Sequence, residues 1–189
     1  MVGFLAIALI PLGAISFRVW SAAEQSAAEQ AQEYQSIAQS IADKIDRNLF
    51  ERYGDVQAFG VNSLARNPEA WSDPAQREAL IGAMNQYVDL YDIYYLTLLV
   101  DVNGELIAVN TADQDGRPIN TDGLYNKDYS SQSWFRDALA GKFYSSKDGS
   151  FTGTVVEDLH IDDAVRQVYG DEGLALGFTA PVRDQNGQV

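Results

Sequence analysis

An α+β fold, with a long amino-terminal helix leading into a small antiparallel sheet wrapped about a pocket, is predicted by three stretches of the chain. From Ser21 to Leu64 good helix formers dominate, and apolar residues recur at Tyr34, Ile37, Ala38, Ile41, Ile45, Leu49, Val56, Phe59 and Leu64, in steps of mostly three and four. From Tyr95 to Asn110 an apolar, β-branched run, the turn Asp101-Val102-Asn103-Gly104 and a second apolar run spell a hairpin. Further on, Asp128 to Gly141 holds a short helix with a Trp-Phe pair, and Gly173 to Val182 reads as a closing strand.

Composition narrows the function before any motif does. The 189 residues, 46% hydrophobic and 11% aromatic, suffice for one ordinary core. Thirteen Lys and Arg against 27 Asp and Glu leave a net charge of −14, which argues against a nucleic-acid partner, because phosphate binding needs a basic face. With no cysteine there are no disulfides, thiolate metal sites or cysteine nucleophiles, a usage that suits an extracytoplasmic bacterial domain.

The amino terminus carries a membrane signal. Val2 to Phe17 is almost wholly apolar and ends at Arg18. No basic n-region precedes it and no small-residue cleavage site follows, so it reads as the outer part of a transmembrane helix rather than a signal peptide. Residues 1–20 are accordingly expected to be a partial transmembrane segment, with Trp20 at the interface. Residues 21–67 are expected to form an amphipathic rod helix, ended by Asn67-Pro68 because the residue before proline avoids the α region. Its stripe is longer than one small sheet can cover, which predicts a homodimer through the helix. Residues 68–189 would then be the ligand-binding module. A second helix is expected to start at Ser72-Asp73-Pro74 and run towards Val88.

Several polar segments invite a site. Asp113, Asp115, Gly116 and Asp122 match part of a calcium loop, but Thr111 occupies its first ligand position, and a polar cover over a pocket is the preferred reading of Thr111 to Tyr125. Glu157 to Asp163 holds the lone histidine, His160, among acids that equally serve as caps for a helix from Ala164 to Tyr169 ended by Gly170. No nucleophile elbow, P-loop or zinc-protease signature is present, so the chain is not expected to be an enzyme and needs no cofactor. The turn at Arg183 to Gly187 calls for a return strand, and the sequence is expected to be truncated at both ends.

The hairpin LLVDVNGELIAVN, the segment DYSSQSWF, the helix end ALAGK and the strand-turn GFTAPVRDQNG, behind a membrane segment and a rod helix, resemble the Cache sensor region of bacterial methyl-accepting chemotaxis proteins. The resemblance spans nearly the whole chain and rests on the order of these motifs. It implies a PAS-like antiparallel sheet outside the inner membrane, facing the periplasm, that binds a small amine, amino acid or other polar metabolite. Residues Val155 to Phe178 also resemble an insertion found in one branch of such receptors. The ligand-binding residues expected are Tyr125, Asp128, Tyr129, Gln132, Trp134, Phe135, Arg136, Tyr144 and Phe178. In amino-acid-binding members an arginine two residues before the Trp grips the ligand carboxylate; Gln132 stands there in this chain, and Arg136 lies one turn on. Two other expectations compete with a chemoreceptor: the same sensor on a histidine kinase or cyclic-dinucleotide enzyme, and an anchored extracytoplasmic enzyme built on Asp158, His160 and Asp162.

Overall fold

The structure, a computed structural model, describes residues 2–146, 149 and 151–189, with helix side chains described from Ala14 onward. The chain divides after Phe50 into two compact units. Among the described residues the amino-terminal unit is helical, within helix α1, Val2–Phe59. Along it Tyr34, Ile37, Ile41, Ile45 and Leu49 are all exposed, so the apolar stripe is real and uncovered. Side chains 2–13 of the expected membrane segment lie outside the described residues; among those described, no helix is long and apolar enough to cross a membrane.

In the second unit α1 stops at Phe59, earlier than Asn67. Gly60 and β-branched Val61 follow, and Asn62 turns its side-chain oxygen onto the Leu64 N–H at 2.9 Å, a local bond that competes with helix continuation. Asn67-Pro68 in fact begins a helix. Asn67 accepts from the Glu69 N–H, and Pro68 takes the first position of α2, Pro68–Trp71. Helix α3, Pro74–Tyr91, starts as expected, with Asp73 accepting from the N–H groups of Ala75 and Gln76. It buries Leu80, Met84 and Val88 at four-residue spacing.

Strands β1, Leu98–Val100, and β2, Leu106–Val109, form the expected hairpin. A register shift after Leu99 gives the hairpin two apolar faces. Leu99 and Ala108 pack with Leu80, Met84 and Ala65, whereas Leu106 and Val109 pack with Leu124 and Tyr129. Beyond β2, Asn110 is fully buried and fully used: its side chain accepts from Thr97 N–H and donates to the Tyr95 and Ala112 carbonyls. A 3₁₀ turn, Asp122–Asn126, and helix α4, Ser133–Leu139, follow. Between α4 and the next strand, among the described residues, one isolated antiparallel bridge joins Tyr144 and Thr154. Strand β3, Val155–Ile161, pairs antiparallel with β4, Leu174–Thr179, and helix α5, Asp163–Tyr169, connects them.

The α+β class and the long helix therefore stand as expected, but the strands form two separate two-stranded sheets, β1–β2 and β3–β4. Residues 51–59 are tied into this unit by polar bonds. Thr154 Oγ1 donates to the Tyr53 carbonyl at 2.9 Å, Gln57 Nε2 donates to Thr154 Oγ1 at 2.9 Å, and the Tyr53 hydroxyl donates to the Tyr144 carbonyl. On the α3 side, the Tyr94 hydroxyl donates to Asp55 at 2.7 Å, Arg52 lies against Asp55 and over the rings of Tyr91 and Tyr94, and Phe59 stacks on Tyr87.

One turn recurs three times. In DVNGE (101–105), DQDGR (113–117) and DQNGQ (184–188) the Asp side chain accepts from the second and fourth following N–H groups, and the Gly N–H donates to the Asp carbonyl. The three glycines take φ of +90°, +73° and +83°, which disfavours any side chain. Only the first is also crowded: a Cβ on Gly104 would lie 2.5 Å from the Ser130 nitrogen, whereas Gly116 faces open space. Gly116→Ala should therefore cost about 1 kcal/mol, the backbone penalty alone. Gly104→Ala should cost about 3 kcal/mol, because overpacking is added. Urea-denaturation midpoints of the two variants check this; equal losses would show that the close approach to Ser130 carries no weight.

Candidate functional site

The hairpin turn at Gly104 seats the candidate site. Its carbonyl accepts from the Tyr129 N–H at 3.0 Å, which draws Asp128 to Ser130 against the end of β1–β2. Asp128 accepts from the Ser130 N–H at 2.8 Å, and bonds from the Ser130 hydroxyl and N–H hold its carboxyl below the usual range. Tyr129 is buried, its hydroxyl donating to the Leu124 carbonyl at 3.3 Å. Trp134, half-buried on the first turn of α4, sets its ring 6.0 Å from that of Tyr129. Gln132 is exposed immediately before α4, and its side chain does not cap the helix. Tyr125 stands partly exposed at the neighbouring 3₁₀ turn; burial raises its phenol pKa while the charge of Arg77 opposes.

Tyr125, Asp128, Tyr129, Gln132 and Trp134 share one neighbourhood. Phe135 and Arg136 adjoin it on α4: Phe135 is buried, its ring centre 5.9 Å from that of Trp134, and Arg136 is exposed, its N–H donating to the Gln132 carbonyl. The other two lie apart. Tyr144 belongs to a different aromatic group with Tyr53 and Phe151. Phe178 pairs with Val156 on β3, on the alternate face from Glu157, and Glu157 is the residue that meets α4 through Ser133.

Five residues outside the nine expected ligand-binding positions also contribute. Ser133 Oγ donates to Glu157 at 2.9 Å, bringing a carboxylate to the start of α4. Ala164 and Val168 of α5 pack onto the Leu106–Val109–Leu124–Tyr129 cluster from the side of the second sheet. Asp162 caps α5 by accepting from the Ala164 and Val165 N–H groups at 2.8 Å, and its charge also reaches the Tyr129 phenol. The apolar i, i+4 pair Ala164 and Val168 was the one available signal.

The other polar segments are engaged in local structure. Asp113 holds the turn described above, and Asp115 pairs with Arg117 at 2.8 Å. His160 Nδ1 lies 2.8 Å from the Asp158 carbonyl, and Nε2 is 3.8 Å from Asp162, whose carboxylate is occupied as a cap. Among the described residues no group of three or more His, Cys, Asp or Glu is arranged to hold a metal ion. Compared with protein-family models, curated proteins and solved structures, the chain matches none.

Two phenols carry the electrostatics of this region. Burial, reinforced by Asp162 and Tyr125, pushes Tyr129 up to about 12, and burial with Asp113 and Tyr95 does the same for Tyr169. A phenol whose pKa is raised by folding contributes stability that is complete below its unfolded value of about 10 and is lost as pH climbs through the folded value. Stability should therefore decline between pH 10 and 12, and the decline should be shallower in Tyr169→Phe. Urea midpoints across that range, alongside phenolate absorbance, decide it; an unchanged profile in the variant would mean that Tyr169 titrates normally.

Proposed function

We propose that the chain is the extracytoplasmic ligand-sensing region of a transmembrane chemoreceptor, its carboxy-terminal unit a PAS-like Cache module that binds a small polar metabolite. The observation that carries this reading is the half-buried Trp134 ring beside buried Tyr129, where the β1–β2 turn, the 3₁₀ turn, α4 and β3 meet. A flat apolar wall with a few convergent polar groups is what holds and orients a small ligand. Asp128, Glu157 and Asp162 bring carboxylates to this neighbourhood, and Gln132 stands where amino-acid-binding members carry a carboxylate-gripping arginine, so the preferred ligand is an amine or a neutral polar metabolite over a free carboxylate. The same module on a histidine kinase or a cyclic-dinucleotide enzyme would bind in the same way.

Thermal-shift screening of the purified protein against amines, amino acids and neutral polar metabolites tests the site. A ligand at about one hundred times its Kd adds roughly 2.7 kcal/mol, a rise of several degrees for a chain of this size. The rise should vanish in Trp134→Ala and weaken in Gln132→Ala, both first shown to be folded. Full stabilisation retained in Trp134→Ala would place binding elsewhere.

The membrane anchor in residues 1–20 and the helix-mediated homodimer belong to the same proposal. Tyr34, Ile37, Ile41, Ile45 and Leu49 follow steps of three and four along one helical face and are exposed, which suits a second helix lying along this stripe. A weak helix interface gains from the high effective concentration that a shared membrane provides. Cysteines placed singly at Ile41 and Ile45 in the membrane-bound protein should give disulfide-linked dimers, and cysteines at Gln39 and Asp43 should give few. Equal crosslinking at all four positions would point to random collision.

A further inference from the structure

The β3–β4 hairpin is anchored at its base and carries a separately closed tip at its far end. At its base, Thr154 is fully buried and bonded to Tyr53 and Gln57. Along β3 the pairing slips between Glu157 and His160, a bulge that bends the strand, and Gly177 faces Glu157 across it. Beyond the bulge, α5 is closed into a compact tip. Asp162 N–H donates to the Gly173 carbonyl at 2.7 Å, and a Cβ on Gly173 would lie 2.7 Å from both the Asp162 oxygen and Arg166 Cβ, so only glycine permits this closure. The tip reaches the β1–β2 layer through few contacts. Ala164 and Val168 lie on the Leu124–Tyr129 cluster, the Gln167 amide reaches the place a Cβ on Gly123 would take, and the Tyr169 hydroxyl donates to the Tyr95 carbonyl at 2.8 Å with the two rings edge to face.

Resting on the ligand-binding reading of the Tyr129–Trp134 site, we propose that the hairpin tip from His160 to Leu174 is a lid over that site, hinged at the β3 bulge and latched by Tyr169 on the Tyr95 backbone. The tip is self-contained, so it moves as a body without unfolding. What it leaves behind is an apolar wall of Leu106, Val109, Leu124 and Tyr129, next to Trp134 and the polar groups of the α4 start. Tyr129, only 5% exposed beneath the closed tip, then becomes reachable by a ligand.

The absence of native cysteine allows a direct test. Leu124→Cys reports on the cluster under the lid, with Val109→Cys as a second reporter should the first fold poorly; Leu80→Cys reports on the other core cluster, under α3. Thiol labelling of Leu124→Cys without ligand should be much faster than that of Leu80→Cys and nearly independent of urea, because a local opening exposes little surface, whereas Leu80→Cys should label only through steeply urea-dependent global unfolding. Adding Tyr169→Phe should accelerate the first reaction about tenfold and leave the second nearly unchanged. Identical rates and urea dependence at the two sites, or equal acceleration by Tyr169→Phe at both, would overturn the lid. Because no ligand is present, a failed ligand screen does not affect this outcome, and a tip that never opens would leave the site reading standing.

Discussion

A two-stranded hairpin is at best marginal in water, and β1–β2 persists because it is buried on both faces. The shift after Leu99 makes this possible by sending Leu99 and Ala108 towards α3 while Leu106 and Val109 face the 3₁₀ turn and Tyr129. Each covering layer is held by a bond to the hairpin's backbone or its ends. Asn85 on α3 accepts from the Thr111 and Ala112 N–H groups at the exit of β2, and the Gly104 carbonyl accepts from Tyr129 at the turn. Loss of either layer would expose strand surface that two strands alone cannot keep ordered, so the candidate site is also part of what stabilises its own floor.

That double role explains which features were legible in the sequence. The turn DVNGE, the Asp73-Pro74 start of α3 and the Asp162-to-Gly170 bounds of α5 are local chemistry, in which each side chain satisfies backbone groups within four residues. Asn67-Pro68 was equally local but ambiguous, since the same pair that ends one helix caps and opens another. Phe59 was invisible as a helix end because the apolar period continues through Leu64, which packs against the core from non-helical backbone. Separation of the strands into two sheets was not legible at all, because alternation fixes faces and not partners.

For the site, Tyr129 and Trp134 could be found because aromatics close in sequence flank one short helix. Tyr144 and Phe178 could not be excluded on the same grounds: their placement depends on the base and the face of a hairpin whose register is set by tertiary contacts. Glu157 and Tyr169 were missed for the converse reason. Each is unremarkable locally and acquires its role by meeting a residue 24 or 74 positions away, Ser133 and Tyr95 respectively.

Strand β3 links the proposed lid to the last turns of α1. Its distal part carries the tip over Tyr129, and Thr154, immediately before it, is bonded to the backbone of Tyr53 and the side chain of Gln57 on α1. The Arg52–Asp55–Tyr94 contacts fix the same helical turns to the end of α3 and the approach to β1, so this stretch of α1 is held from two directions. A ligand that favours one position of the tip biases this clamp only by the difference between its affinities for the two positions, however tightly it binds. A ligand seated on the wall that the closed tip covers binds only the open position and so shifts the tip open, whereas one that also touches the underside of α5 favours the closed position. Under the proposed sensing role, the sign of the response would then depend on whether the ligand reaches α5.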